Sequence, residues 1–279
     1  VIASTFQLVP GFGPARERRL WQAGVARWED LPAAPAEVAK LADAVRDAAA
    51  EAADALARRD ADRLARMLPA GEHWRLLAAF ADDAAHLDIE QGDDVWGRQG
   101  VSAIGFHDSS GPRVLLPGRD LDAFPALARD WPLLVTFNGG SYDVPVLRRA
   151  FPDWAPPAGH VDLRHVLARL GHRGGLKAIE RELAELRLAR PPRLRGVDGW
   201  AAGALFRRGR DGDVAALRLF AEYNLYDVVN LRTLAAHAYN ALAAEAVAAA
   251  PALAPHVAPL PLPFRGDVLY DVSKALLAL

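Results

Sequence analysis

The chain has 279 residues, 52% hydrophobic and 24% charged, the balance of a soluble globular protein with a core to bury. Its 33 basic and 35 acidic residues leave a net charge of −2, so bulk electrostatics announces no polyanionic partner. No run approaches the roughly 18 apolar residues of a membrane span, the opening VIASTFQLVPGFG lacks the marks of a secretory leader, and cysteine is absent. A cytoplasmic protein with no membrane association is therefore expected, and a bound metal would need oxygen or imidazole ligands.

In chain order, LVPGFGPARERRLWQAGVARWEDL (8–31) sets an apolar lead before Pro-Gly-Phe-Gly, then two apolar-periodic runs separated at Gly24. This reads as two helices around a glycine hairpin and resembles the helix-hairpin-helix motif. There the backbone N–H groups of a turn holding Gly11 and Gly13 would face a nucleic-acid phosphate. An ordinary αα-hairpin whose glycines only supply positive φ is the alternative. The segment is assigned to 1–35. Residues 36–82 follow as an Ala-rich helical linker without Gly or Pro until Pro69 and Gly71.

From residue 83 short strands alternate with helices: DAAHLDIE, VSAIGFHD, RVLLP, a helix around 121–129, then PLLVTFNGG and GHVDLRHV. Three hairpin-connected strands, a helix and further strands imply an α/β domain over 83–250. The tail APALAPHVAPLPLPF reads as a Pro-rich arm within 251–279.

Three places carry candidate chemistry. In HLDIEQGDD, Asp88 and Glu90 are two apart on a strand and share one face, so the pair is either a solvated strand end or half of a metal site. In TFNGGSYDVPVL, Asp143 follows a Gly-Gly turn where a helix begins, which also suits a first-turn acid. In EYNLYDVVNL, Tyr223 and Asp227 are four apart on one helix face, where an exposed Asp beside a core Tyr is the plainer alternative.

In this order and on these elements, the acids resemble the DEDD exonuclease superfamily, of ribonuclease H-like fold with a mixed central sheet flanked by helices. Tyr223 suits its tyrosine-bearing branch, because the histidine branch would want His where this chain has Glu222. FNGGSYDVPVL, HVDLRHVL, GGLKAIERELAELRLAR and EYNLYDVVNL are similar to successive blocks of the YprB-type predicted exonucleases, over about 83–237. The resemblance implies metal-ligand roles for Asp88, Glu90, Asp143 and Asp227 and a water-orienting role for Tyr223. It also implies two divalent cations, Mg²⁺ or Mn²⁺, and a DNA or RNA substrate cut by a 3′-to-5′ exonuclease. Gln91-Gly92 departs from the Thr-Thr-Gly common in related exonucleases.

Other residues carry two readings each. Asn138 is a substrate contact or a turn former, and Asp162 is a partner to the site or a strand-end acid. Asp93 and Asp94 read as a solvated turn. Arg187, Arg190, Arg193 and Arg195 are phosphate contacts or a solvated loop. His86, His107, His160 and His165 lack metal-ligand spacing. A catalytically silent nucleic-acid-binding module and an internal-cutting nuclease of the same fold are the competing functions.

Overall fold

The computed structural model describes residues 1–93, 99–186, 188, 190–263 and 272–276. Asp94 and Arg187 lie outside them, as does the side chain of Asp93, whose backbone ends the first strand. Alternation in that strand, β1 (Ala85–Asp93), organises the fold. Ala85, Leu87 and Ile89 enter one apolar cluster, and the intervening His86, Asp88 and Glu90 turn to the opposite face.

β1 pairs antiparallel with β2 (Gln99–Asp108), which pairs antiparallel with β3 (Gly111–Leu115). On its other side β1 runs parallel to β4 (Leu134–Thr136), which runs parallel to β5 (His160–Asp162). Among the described residues this gives a mixed five-stranded sheet of order β3-β2-β1-β4-β5, flanked by helices. The ladder slips at Glu90/Gln91, a bulge immediately after the second acid.

The N-terminal region is helical. α1 (Pro14–Gln22) starts with Pro at its first turn after Gly13, and Gly11 holds the preceding turn at φ +79°. The second run of the expected hairpin is a 3₁₀ helix, Trp28–Ala33, not an α-helix. Asp30 accepts from the Ala26 and Arg27 N–H groups, Pro32 lies inside the turn, and the Trp28 indole donates to Thr5 O at 2.6 Å. The Ala-rich stretch divides into α2 (Ala39–Ala57) and α3 (Ala61–Met67), the second capped by Asp60.

The remaining helices are α4 (Leu77–Phe80), α5 (Phe124–Leu127), α6 (Asp143–Ala150), α7 (Leu163–Arg169), α8 (Leu176–Glu182), α9 (Gly199–Arg210) and α10 (Val214–Ala249). α10 is buried without interruption from Phe220 to Leu231 and covers the face of the sheet that carries Asp88 and Glu90. α5 and α6 supply Phe124, Val146 and Leu147 to the cluster on the other face. Among the described residues no helix is long and apolar enough to cross a membrane.

A buried ionic knot ties the N-terminal region to the rest. Glu17, 1% exposed, accepts from the Phe6 N–H, Gln7 and both Nη atoms of Arg75, and Arg75 Nε donates to Glu72. One apolar cluster runs from Phe6, Leu20 and Trp21 to Val135 on β4 and Leu234 on α10.

Candidate active site

Carboxylate oxygens of Asp88, Glu90 and Asp227 lie within 4.8 Å of one another. The first two come from one face of β1, and the third from α10, packed across that face. Asp143, the first residue of α6, stands beside them but outside that trio: its Oδ1 accepts from the Ile89 N–H at 3.0 Å. Tyr223, 5% exposed, sits one turn before Asp227.

Burial makes these acids costly to ionise. It is the largest cause raising Asp88 to about 6, opposed by the Lys177 charge and the Asn224 hydrogen bond. Glu90 is pushed up to about 8 by burial and then by the Asp88 charge. Asp143 is held well above the usual carboxylate range by burial and by Asp88. Clustered buried carboxylates with an elevated proton affinity and hard oxygen donors suit a divalent cation, which would offset their mutual repulsion. The Tyr223 hydroxyl is raised by burial and by the charges of Glu90 and Asp88, so it stays protonated.

Several neighbours complete the cluster, and of these the sequence singled out Arg190 alone, as a phosphate contact or part of a solvated loop. Lys177 Nζ and Arg190 Nη2 both donate to Asp227 Oδ1, and Lys177 Nζ lies 4.7 Å from the centre of the Tyr223 ring. Arg190 also bonds Glu180 through Nε at 3.0 Å and Nη2 at 2.6 Å, and Asn230 donates to Glu180 at 2.9 Å. Asn224 Nδ2 donates to Asp88 Oδ2 at 2.9 Å. Room for Asn224 exists because β2 carries Gly105 opposite Asp88; a Cβ there would fall 2.0 Å from Asn224 Oδ1. The available signal was four polar residues, Glu222, Asn224, Asp227 and Asn230, in the otherwise apolar middle of α10.

Asp162 anchors the turn that leads into Asp143. It accepts from the Asn138 N–H at 2.7 Å, the Gly140 N–H at 3.1 Å and the Arg164 N–H at 3.1 Å. Asn138 takes φ +65°, and its side-chain oxygen accepts from Arg164 at 2.8 Å, so its polar groups serve the turn. Gln91 accepts from the hydroxyl of the exposed Tyr142. Gly11 and Gly13 line a different cleft, with Arg63, Arg66 and Met67 of α3.

Of the clustered arginines, Arg190 turns inward to Glu180 and Asp227, Arg193 pairs with Glu222, and Arg195 is exposed. The histidines are dispersed: His86 and His107 oppose each other across β1 and β2, His160 bonds Thr136 at 2.8 Å, and His165 is exposed.

A family model described as the RNase_H superfamily matches residues 97–239, which contain Asp143, Tyr223 and Asp227 and begin after Asp88 and Glu90. No curated protein and no solved structure matches the chain.

Proposed function

The chain belongs to the RNase H superfamily, and on that premise we propose that it is a metal-dependent nuclease, a 3′-to-5′ exonuclease of the tyrosine-bearing DEDD type and of YprB-like kind, acting on DNA or RNA in the cytoplasm. The observation that carries this reading is the convergence of Asp88, Glu90 and Asp227 within 4.8 Å, beneath a buried helix. A merely silent nucleic-acid-binding fold has no need to bring three carboxylates, one buried and two half-buried, together.

Asp88, Glu90 and Asp227, with Asp143 beside them, would hold two divalent cations, Mg²⁺ or Mn²⁺. A bound cation supplies the charge that lets an anionic phosphodiester accept a nucleophile and release its oxygen. The protein's own groups do the rest. Asn224 fixes the rotamer of Asp88, and the Ile89 N–H fixes that of Asp143. Tyr223, kept un-ionised, orients the attacking water by hydrogen bonding and does not act as its base. Lys177 and Arg190 hold Asp227 and place positive charge at the edge of the cluster. Tyr142 presents an exposed ring beside Asp143 on which a base can stack.

The test is a ladder. Single- and double-stranded DNA and RNA labelled at the 5′ end are incubated with Mg²⁺, Mn²⁺ or EDTA. Stepwise shortening from the 3′ end with either cation, absent in EDTA and in Asp88→Asn, is expected. Fragments cut internally from the start would replace the exonuclease by an endonuclease of the same fold, and no cleavage of any substrate would refute the enzyme.

A further inference from the structure

A cavity of 250 Å³ opens beside the N-terminal end of β1, against the middle of α10. His86 precedes Asp88 by two residues on β1, and Arg232 follows Asp227 by five on α10; both line it. Its walls are apolar, with Leu77 after the N-terminal helices and Ala235 and Ala236 from α10. The outer wall is Leu260 and Pro261 of the Pro-rich arm, held in place because Asn240 donates to Leu260 O at 2.9 Å and accepts from its N–H at 2.7 Å.

The polar groups inside are not balanced. Arg232 is partly buried, and its one hydrogen bond among the described residues runs from Nη1 to His107 Nε2 at 3.1 Å, a neutral acceptor. No carboxylate pairs with it among the described residues; Asp82 also lines the cavity, is exposed and makes no ion pair with Arg232. His86 is 3% exposed, and its Nδ1 is buried without a partner. The His86 ring lines the cavity beside Arg232 and adds a polar edge to it. A guanidinium held against apolar walls is satisfied best by an anion, and its planar fork matches a carboxylate in two parallel hydrogen bonds.

We infer that this cavity binds a small organic carboxylate, its anionic head on Arg232 and its apolar body against Leu77, Ala235, Ala236 and Leu260. One guanidinium matches one negative charge, and the walls match a hydrocarbon body, which disfavours a phosphate dianion. The site is separate from the acid cluster and independent of the nuclease reading.

Benzoate and inorganic phosphate are the probes, titrated by calorimetry into the full chain in EDTA, with a melting curve for every variant. Saturable benzoate binding is expected, weakened at least about tenfold in Arg232→Met, as for loss of a charge-assisted hydrogen-bonded pair. Ala236→Phe, which fills the cavity and keeps the cation, should abolish it, while Asp88→Asn should bind like the parent. No saturable benzoate binding, unchanged affinity in folded Arg232→Met or Ala236→Phe, or phosphate binding in preference to benzoate would each overturn the assignment.

Discussion

At the scale of single residues, the proposed site would depend on groups that fix the acids as well as on the acids themselves. Tyr223→Phe should keep Mn²⁺ affinity and the melting temperature but slow hydrolysis roughly 10- to 1,000-fold, the loss expected for a positioning hydrogen bond to the nucleophile. An unchanged single-turnover rate would assign the ring to packing under Lys177 alone. Gly105→Ala should cost about 1–3 kcal/mol, because the new Cβ drives Asn224 away from Asp88. Its activity loss should follow that of Asn224→Ala; denaturant curves and rates on both variants check this. Lys177→Met removes a cation from a cluster of buried carboxylates. It should lower stability in EDTA and enlarge the stabilisation gained from Mn²⁺, measured as melting temperature with and without the ion.

At the scale of elements, β1 was the most legible part of the chain. Its strict alternation put Leu87 and Ile89 on one face and Asp88 and Glu90 on the other, and the sheet bears this pattern out. The hairpin-connected first three strands were legible for the same reason. The Asn224–Gly105–Asp88 contact was not, because it joins positions more than 100 residues apart and no local period encodes such a pairing. The second run of the hairpin reads as a helix and forms a 3₁₀ helix over Trp28–Ala33; its tighter winding is set by an indole bond to Thr5 and by Asp30 reaching back, both outside the periodic pattern. The β1 acids give a pH signature. Unfolded, Asp88 and Glu90 ionise near 4, whereas folded and without a cation they hold protons up to about 6 and about 8. Their contribution to stability is therefore intact below about pH 4 and is lost as pH rises through those two values. In EDTA the melting temperature of the parent should fall from pH 5 to 8 relative to an Asp88→Asn/Glu90→Gln variant. A difference that stays flat over that range would show that the two groups are not buried as described.

At the scale of the whole molecule, the N-terminal region and the sheet share one core and the Glu17–Arg75–Glu72 knot. Removing residues 1–31 would strip Phe6, Leu20 and Trp21 from that core and leave Arg75 without Glu17, so truncation cannot isolate a nucleic-acid role for the glycine turn. Glu17→Gln should by itself cost about 3 kcal/mol, since it leaves a buried guanidinium under-neutralised. Gly11→Val strains a turn at φ +79° with no atom in the way of its side chain, and is the cleaner probe. If the turn contacts phosphates, this variant should raise KM on long substrates, more so at high salt, and leave short oligonucleotides unaffected; equal loss on both lengths would make the turn purely structural. A cation at the junction of β1 and α10 is central to the proposed chemistry. Calorimetric titration of Mn²⁺ into the parent, Asp88→Asn and Asp227→Asn tests it most directly: saturable binding in the parent that is largely lost in both folded variants is the predicted result, and equal binding in all three would contradict it.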